Sequence, residues 1–358
     1  MEPPCLGIQL QRDVVAAFAA ALRKSFASFQ PGSRMIFVLG GRTSIVTRSN
    51  QGLPRVAWVV GQGGLLGRNT VTHLPPGLRV EHPLSWTTPS LLSDLESGVI
   101  SFRQQVASRP WQIYWLAGQA TARSDDGSVD SEIEVFSHFI SLVSEELQLG
   151  RGSLVLASSA GALYDQQGSG PIQEDSPISP VSRYAQLCAT REELSLQLIE
   201  RGLALLIARL SNVYGFKPKP KPKPSHGIID HLLHSCMYGN PVPLIDHLES
   251  TRDYVYAPDV GKALVNHAQD LLNGHSKTVL VASGVQTTLK TVIDSVTSVT
   301  GLSPHVEYRQ PPYSSLVTKA RRFSPISPVA TTPLKRGIGR IWEQMWEFRA
   351  PQNLPPGG

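Results

Sequence analysis

The chain has 358 residues, 41% of them hydrophobic, a net charge of +5 and three widely spaced cysteines, Cys5, Cys188 and Cys236. That length can bury one large core or two smaller ones, and the composition excludes a disordered chain. Three cysteines with no CxxC pair exclude a disulfide scaffold and a zinc knuckle.

No apolar run reaches the length of a membrane span, and no secretory leader opens the chain. No membrane partner and a cytoplasmic location are therefore expected. The basic residues are not interleaved with aromatics, so nucleic acid is not an expected partner either.

In chain order, Asp13 to Phe29 repeats Val14, Phe18, Leu22 and Phe26 every four residues, which predicts an amphipathic helix. Met35 to Leu39, then Gly40-Gly41, then Ser44 to Thr47 read as a hairpin. Strand-Gly-Gly can open a phosphate-binding turn, but no helix follows it here, as that motif requires. Residues 1–54 thus form an extension of unassigned role.

Beyond Gly52-Leu53-Pro54 the pattern changes. Strand-like runs at Val56–Val60, Trp111–Ala117, Ser153–Ala157, Leu203–Arg209 and Thr278–Ala282 alternate with helical windows such as Ile133–Leu149 and Tyr184–Arg201. The alternation predicts an α/β fold, a parallel sheet with helices on both faces. Lys217 to Pro224 repeats Lys-Pro four times and predicts an extended, polyproline-like loop. A flexible tail is expected over 351–358.

Gly61, Gly64 and Gly67 directly follow the first strand of this run, at spacing three and three. The first glycine permits a tight turn and the second a close approach of backbone to a pyrophosphate. The third permits helix–strand packing. Amides at the helix start, around Leu65 and Leu66, then face the anion. Pro75 and Pro76 should end this helix early. The next strand, Leu78–His82, lacks a clean terminal Asp; Arg79 and His82 suit a 2′-phosphate and Glu81 a free ribose diol, so NAD or NADP stays open.

With those glycines, the chain from about 55 to 345 resembles the extended short-chain dehydrogenase/reductase family, the sugar-nucleotide epimerase and dehydratase group. Five further segments carry the resemblance in order: Leu116-Ala117-Gly118; Ser158-Ser159-Ala160-Gly161-Ala162-Leu163-Tyr164; Pro180 to Tyr184; Arg209 to Gly215; and Arg252 to Val260. It implies a Rossmann-type, doubly wound parallel sheet over 55–210. A smaller, partly interleaved C-terminal substrate domain over 211–350 is implied as well, returning one strand near 278–282 to the sheet. It also implies an NAD or NADP cofactor, a nucleoside-diphosphate sugar as substrate, no metal, and, by analogy alone, a homodimer.

Carried over residue by residue, the resemblance makes Tyr184 the acid/base and Ser159 the hydroxyl that positions substrate, with Ser158 as fallback. Gly61, Gly64, Leu65, Leu66, Gly67, Ala117, Gly118 and Tyr184 would line the cofactor. Ser159, Asn212 and Arg252 would meet the sugar nucleotide.

The chain departs from the family where a lysine should stand four residues after Tyr184: Cys188 is there, and no lysine occurs between Lys24 and Lys217. A cation about 5 Å from a phenol is worth roughly 3 kcal/mol at an effective dielectric near 20, about 2 pKa units. On a helix starting near Ser182, Arg183 and Arg191 are expected off the face of Tyr184 and Cys188. Glu134 is expected where relatives carry an asparagine. His226, Asp230, His231, His234 and Cys236 cluster in sequence, with His231 and His234 at a spacing that could hold zinc, a ligand relatives lack. An alternative therefore stands beside the enzyme: a partner or regulatory protein of the same fold, with its chemistry impaired.

Overall fold

The computed structural model describes residues 34–39, 42–47, 55–86, 89–164, 166, 168–218, 227–244, 246–308, 320–325 and 331–349. The expected helix at 13–29, His226, most of the Lys-Pro run and the tail lie outside these. The chain divides into two compact units, Met1–Leu53 and Pro54–Gly358. In the first, β1 (Arg34–Leu39) pairs antiparallel with β2 (Arg42–Thr47), Leu39 opposite Arg42, as the hairpin reading expects.

The second unit begins with β3 (Val56–Val60), α1 (Leu65–Val71), β4 (Arg79–Val80), α2 (Leu91–Val106), β5 (Trp111–Trp115), α3 (Asp126–Glu146), β6 (Gly152–Ser159) and the single-turn α4 (Ala160–Leu163). It continues through α5 (Arg183–Leu196), β7 (Ala204–Leu210), β8 (Asn212–Tyr214), α6 (Ile228–Tyr238), β9 (Val242–Leu244), β10 (Thr251–Tyr256) and α7 (Ala257–Gln269). It ends with β11 (Lys277–Val281), β12 (Gln286–Thr288), α8 (Leu289–Thr300), β13 (Val306–Tyr308) and α9 (Leu334–Arg349).

Six strands form a parallel sheet in the order β11-β7-β6-β5-β3-β4. The order reverses at β3, which lies between β4 and β5. In open sheets of this kind ligands bind outside the carboxyl ends of the strands at such a reversal. The strands are near-continuously apolar because both faces are covered. One face packs Trp58, Trp115 and Phe102 with Phe136 and Phe139 of α3; the other packs Val59, Tyr114, Val155 and Leu206 with Val260 and Leu264 of α7. The Trp115 ring meets Phe136 edge-on at 5.0 Å between centroids. β11 returns to the sheet beside β7 with Val281 opposite Leu210.

The remaining elements build the smaller layer. β8, β10 and β12 form one short sheet and β9 with β13 another, over a core of Leu232, Leu233, Val292, Val296, Ile338 and Ile341. Asp253 fastens this layer to the main sheet, since its carboxylate accepts bonds from Ser211 Oγ at 2.6 Å and from the Ser283 amide and Oγ at 2.9 Å each. Among the described residues, no helix is long and apolar enough to cross a membrane.

Candidate dinucleotide and proton-transfer site

The turn after β3 is built for close backbone contact. Gly61 sits at φ +91, and a Cβ there would lie 2.8 Å from the Leu116 carbonyl oxygen and 2.9 Å from Ala117 Cα. A Cβ on Gly67 would run into the Gly61 carbonyl. The Gly64 amide donates to Gly61 O at 2.8 Å, and Gly64 opens α1 without a side-chain cap, leaving the first amides of the helix to other partners. Gly61 is thus drawn against Leu116 and Ala117 at the reversal of strand order, with Gly64 and Gly67 packed back on Gly61 at the head of the helix that carries Leu65 and Leu66. A Cβ on Gly215 would meet Leu65 Cδ1 at 3.1 Å, so the segment after β8 borders the same turn.

The strand predicted over 78–82 is shorter, ending at Val80. Arg79 donates to the Val71 carbonyl at 3.3 Å and His82 Nε2 is 3.2 Å from the Asp94 carbonyl, so both are held by neighbouring helices, while Glu81 is exposed.

Ser182 caps α5, its side chain accepting from the Ala185 amide at 3.1 Å, and the helix carries Tyr184 and Cys188 inward together. The Tyr184 hydroxyl adjoins the Cys188 thiol, which also faces the Ser159 backbone. Burial, and then the adjoining thiol, hold Tyr184 well above the usual phenol range. Burial likewise pushes Cys188 up to about 11. Ser159 Oγ accepts from the Ala162 amide at 3.3 Å, capping α4. Ser158 Oγ donates to Glu192 at 2.6 Å, and Glu192 also takes two bonds from Arg209, at 3.0 and 2.7 Å. Ser158 therefore belongs to a buried structural network.

Two sequence expectations are corrected. Arg191 does share the face of Tyr184 and Cys188, because positions seven and three residues apart fall on one stripe of an α-helix. It is buried and bonds Glu132 at 2.6 Å. Glu132, not Glu134, is the carboxylate of α3 at the site. Glu134 is exposed, whereas Glu132 lies on the buried stripe with Val129, Val135, Phe136 and Phe139. The second Glu132 oxygen accepts from the amides of Gln119 and, at 2.6 Å, Ala120. Counting in threes and fours from Tyr184 and from Val129 would have found both residues.

Asn212 and Arg252 come from adjacent strands, with Asn212 opposite Tyr254. Asn212 donates to the Asp253 carbonyl at 2.9 Å. The half-buried Arg252 donates to the Thr251 carbonyl at 2.9 Å and reaches Asp246 at 3.4 Å. His234 is 3.8 Å from Asp230, and among the described residues no three His, Cys, Asp or Glu side chains converge to hold a metal.

Residues 99–282, which include α3, the 158–164 segment, Tyr184 and Arg252, match the sequence pattern of the NAD dependent epimerase/dehydratase family. The chain belongs to that family. It is 32% identical over 163 residues to a Methanocaldococcus jannaschii protein provisionally named UDP-glucose 4-epimerase, covering 44% of this chain and 50% of that one. The chain spans about half the length of the curated relatives it matches.

Among solved structures it resembles a UDP-N-acetylglucosamine 4-epimerase of Methanobrevibacter ruminantium (TM-score 0.67, 16% identity, 82% of this chain and 99% of that one). A Thermus thermophilus UDP-glucose 4-epimerase is similar (TM-score 0.63, 22% identity, 82% and 98%). At these identities the likeness shows the fold, a Rossmann-type sheet with flanking helices.

Proposed function

We propose that the chain is an NAD-dependent enzyme acting on a nucleoside-diphosphate sugar, an epimerase in first place and a dehydratase or reductase next. Residues 55–210 hold the dinucleotide and 211–350 the sugar nucleotide. The observation that carries this reading is the glycine turn. Its backbone is pressed against Leu116 and Ala117 where the strand order reverses, with uncapped helix amides at its end. A pyrophosphate fits that cradle; a side chain at 64 would fill it, while side chains at 61 and 67 would clash with the backbone that shapes it. NAD is favoured over NADP because Arg79 and His82 are engaged elsewhere while the exposed Glu81 suits a ribose diol. The Thermus thermophilus neighbour is a complex with NAD and the Methanobrevibacter ruminantium neighbour one with UDP-N-acetylmuramic acid, in keeping with both ligands.

Tyr184 is the acid/base, Ser159 is the positioning hydroxyl, and Asn212 and Arg252 receive the diphosphate. The bound nicotinamide supplies hydride exchange. A second reading, a ligand-binding protein with impaired chemistry, is favoured by one observation: Tyr184 is desolvated and meets a thiol where a cation would assist it.

Thermal unfolding with NAD and NADP tests the cradle. NAD should raise Tm and NADP should raise it less. Gly64→Val should abolish the shift, and because its Cβ would stand 3.1 Å from Gly61 O the Tm of the free variant is measured beside it. Arg252→Ala should weaken nucleotide-sugar binding about tenfold, the worth of a charge-assisted bond, and leave NAD binding alone. No response to either dinucleotide in the unaltered protein would remove the proposal.

A further inference from the structure

Tyr184, Cys188 and Arg191 occupy places zero, four and seven of one stripe of α5. Side chains on a helix lean toward its N-terminus, so the guanidinium at 191 lies back over the ground beside position 188. It rests on the Phe136 ring, 5.6 Å from the centroid, and bonds Glu132 at 2.6 Å. A Cβ on Gly118 would lie 2.8 Å from Glu132 Oε2 and 3.4 Å from Arg191 Nη1. The pair therefore ties α3 and α5 to the 118–120 turn, whose leading residues, Leu116 and Ala117, touch Gly61.

Stability alone does not account for the pair, since buried ion pairs can often be replaced by apolar side chains without loss. Arg191 Nε is buried and has no hydrogen-bond partner among the described residues, an arrangement the clamp to Glu132 does not require. We infer that Arg191, clamped by Glu132, is the cation that serves Tyr184, a positioning residue one turn beyond Cys188.

The other charges nearby are directed elsewhere. Arg183 is drawn outward to Asp126 and Asp130 on α3, and Glu192 is held by Arg209 of β7 and Ser158 of β6. Of the charges facing Tyr184, an ionised Cys188 opposes ionisation most, and Arg191 favours it more strongly than Glu132 opposes it. At Cys188, Arg191 favours ionisation more strongly than Glu192 opposes it. The inference deepens the enzyme reading and rests on it only for the turnover arm of the test.

Cys188 is a built-in reporter. In the full chain with Cys5→Ser and Cys236→Ser, 13Cβ-labelled cysteine reads the thiolate fraction at 188 by NMR at about pH 10. Glu132→Gln keeps an acceptor oxygen for the Gln119 and Ala120 amides and leaves Arg191 unopposed. The fraction should rise about fivefold, as for a midpoint lowered by about one pH unit. Arg191→Met should lower it. Because that variant strands a buried carboxylate, the neutral pair Glu132→Gln/Arg191→Met is measured too, and its fraction must also fall below that of the parent.

In turnover, the alkaline rise of kcat should move to lower pH in Glu132→Gln and to higher pH in the neutral pair, with KM for the sugar nucleotide steady. A thiolate fraction unchanged in all variants overturns the inference whatever the activity. A fraction that moves as expected while no variant turns over any sugar nucleotide upholds the cation and removes the enzyme reading.

Discussion

Tyr184 shows how far one side chain depends on its neighbours. Burial raises its pKa, so little tyrosinate forms at neutral pH, and the adjoining thiol at 188 raises it further instead of stabilising the anion. An ammonium at 188 would donate to the phenol oxygen instead. Cys188→Lys should therefore raise turnover at pH 7 by up to about a hundredfold, the equivalent of about 2 pKa units, and shift the alkaline rise downward. Tyr184→Phe should remove turnover in either background. A pH–rate profile of the four proteins checks this, and equal rates with and without the Tyr184 hydroxyl would exclude it as the proton route. Of the two serines carried over from the family pattern, Ser159 caps α4 beside Cys188, while Ser158 is spoken for by Glu192.

At the scale of elements, α5 is the fastener of the site. One stripe presents Tyr184, Cys188 and Arg191; the adjacent one presents Glu192, which bonds Ser158 of β6 and Arg209 of β7. Arg209 Nη1 in turn donates to the Tyr164 hydroxyl at 3.0 Å, joining α5 to the loop after α4. Glu192→Ala would leave a buried guanidinium without its carboxylate, and losing one member of a buried pair costs about 3–5 kcal/mol. Urea unfolding followed by circular dichroism should show that loss, and NAD-induced stabilisation should persist wherever the variant stays folded. A loss below about 1 kcal/mol would mean that Arg209 finds water or another partner.

The whole molecule buries several tyrosines in its sheet and in the smaller layer. Burial holds Tyr114, Tyr184 and Tyr214 far above the usual phenol value and raises Tyr254 to about 12. In the unfolded chain these phenols ionise near about pH 10. Their stabilising contribution is therefore complete below about pH 10 and is lost as pH rises toward the folded values, because the unfolded state sheds protons that the folded state keeps. Tm should hold through neutral pH and fall steadily above about pH 10. Tyr254→Phe should flatten the fall, each such phenol contributing a slope of up to about 1.4 kcal/mol per pH unit. Scanning calorimetry across that range checks it, and a flat profile to pH 12 would contradict the burial of these hydroxyls.

The alternation of apolar runs with helical windows, the glycine spacing after Val60 and the ordered segments from Leu116 to Val260 were enough to specify the parallel sheet and the family. Those features act through short-range geometry, namely strand and helix periods and the steric freedom of glycine at a tight turn. The hairpin at 34–47 was legible for the same reason. Tertiary structure decided what the side chains do once helices meet. Glu132 and Arg191 lie 59 residues apart, and only the packing of α3 on α5 makes them a pair beside Tyr184. The packing of α3 also leaves Glu134 at the surface, that of α5 on the sheet ties Ser158 to Glu192, and that of β4 against α1 hands Arg79 to the end of α1. Local sequence sets which stripe of a helix is apolar. Which buried charge finds its opposite depends on distances that exist only after the chain has closed its core.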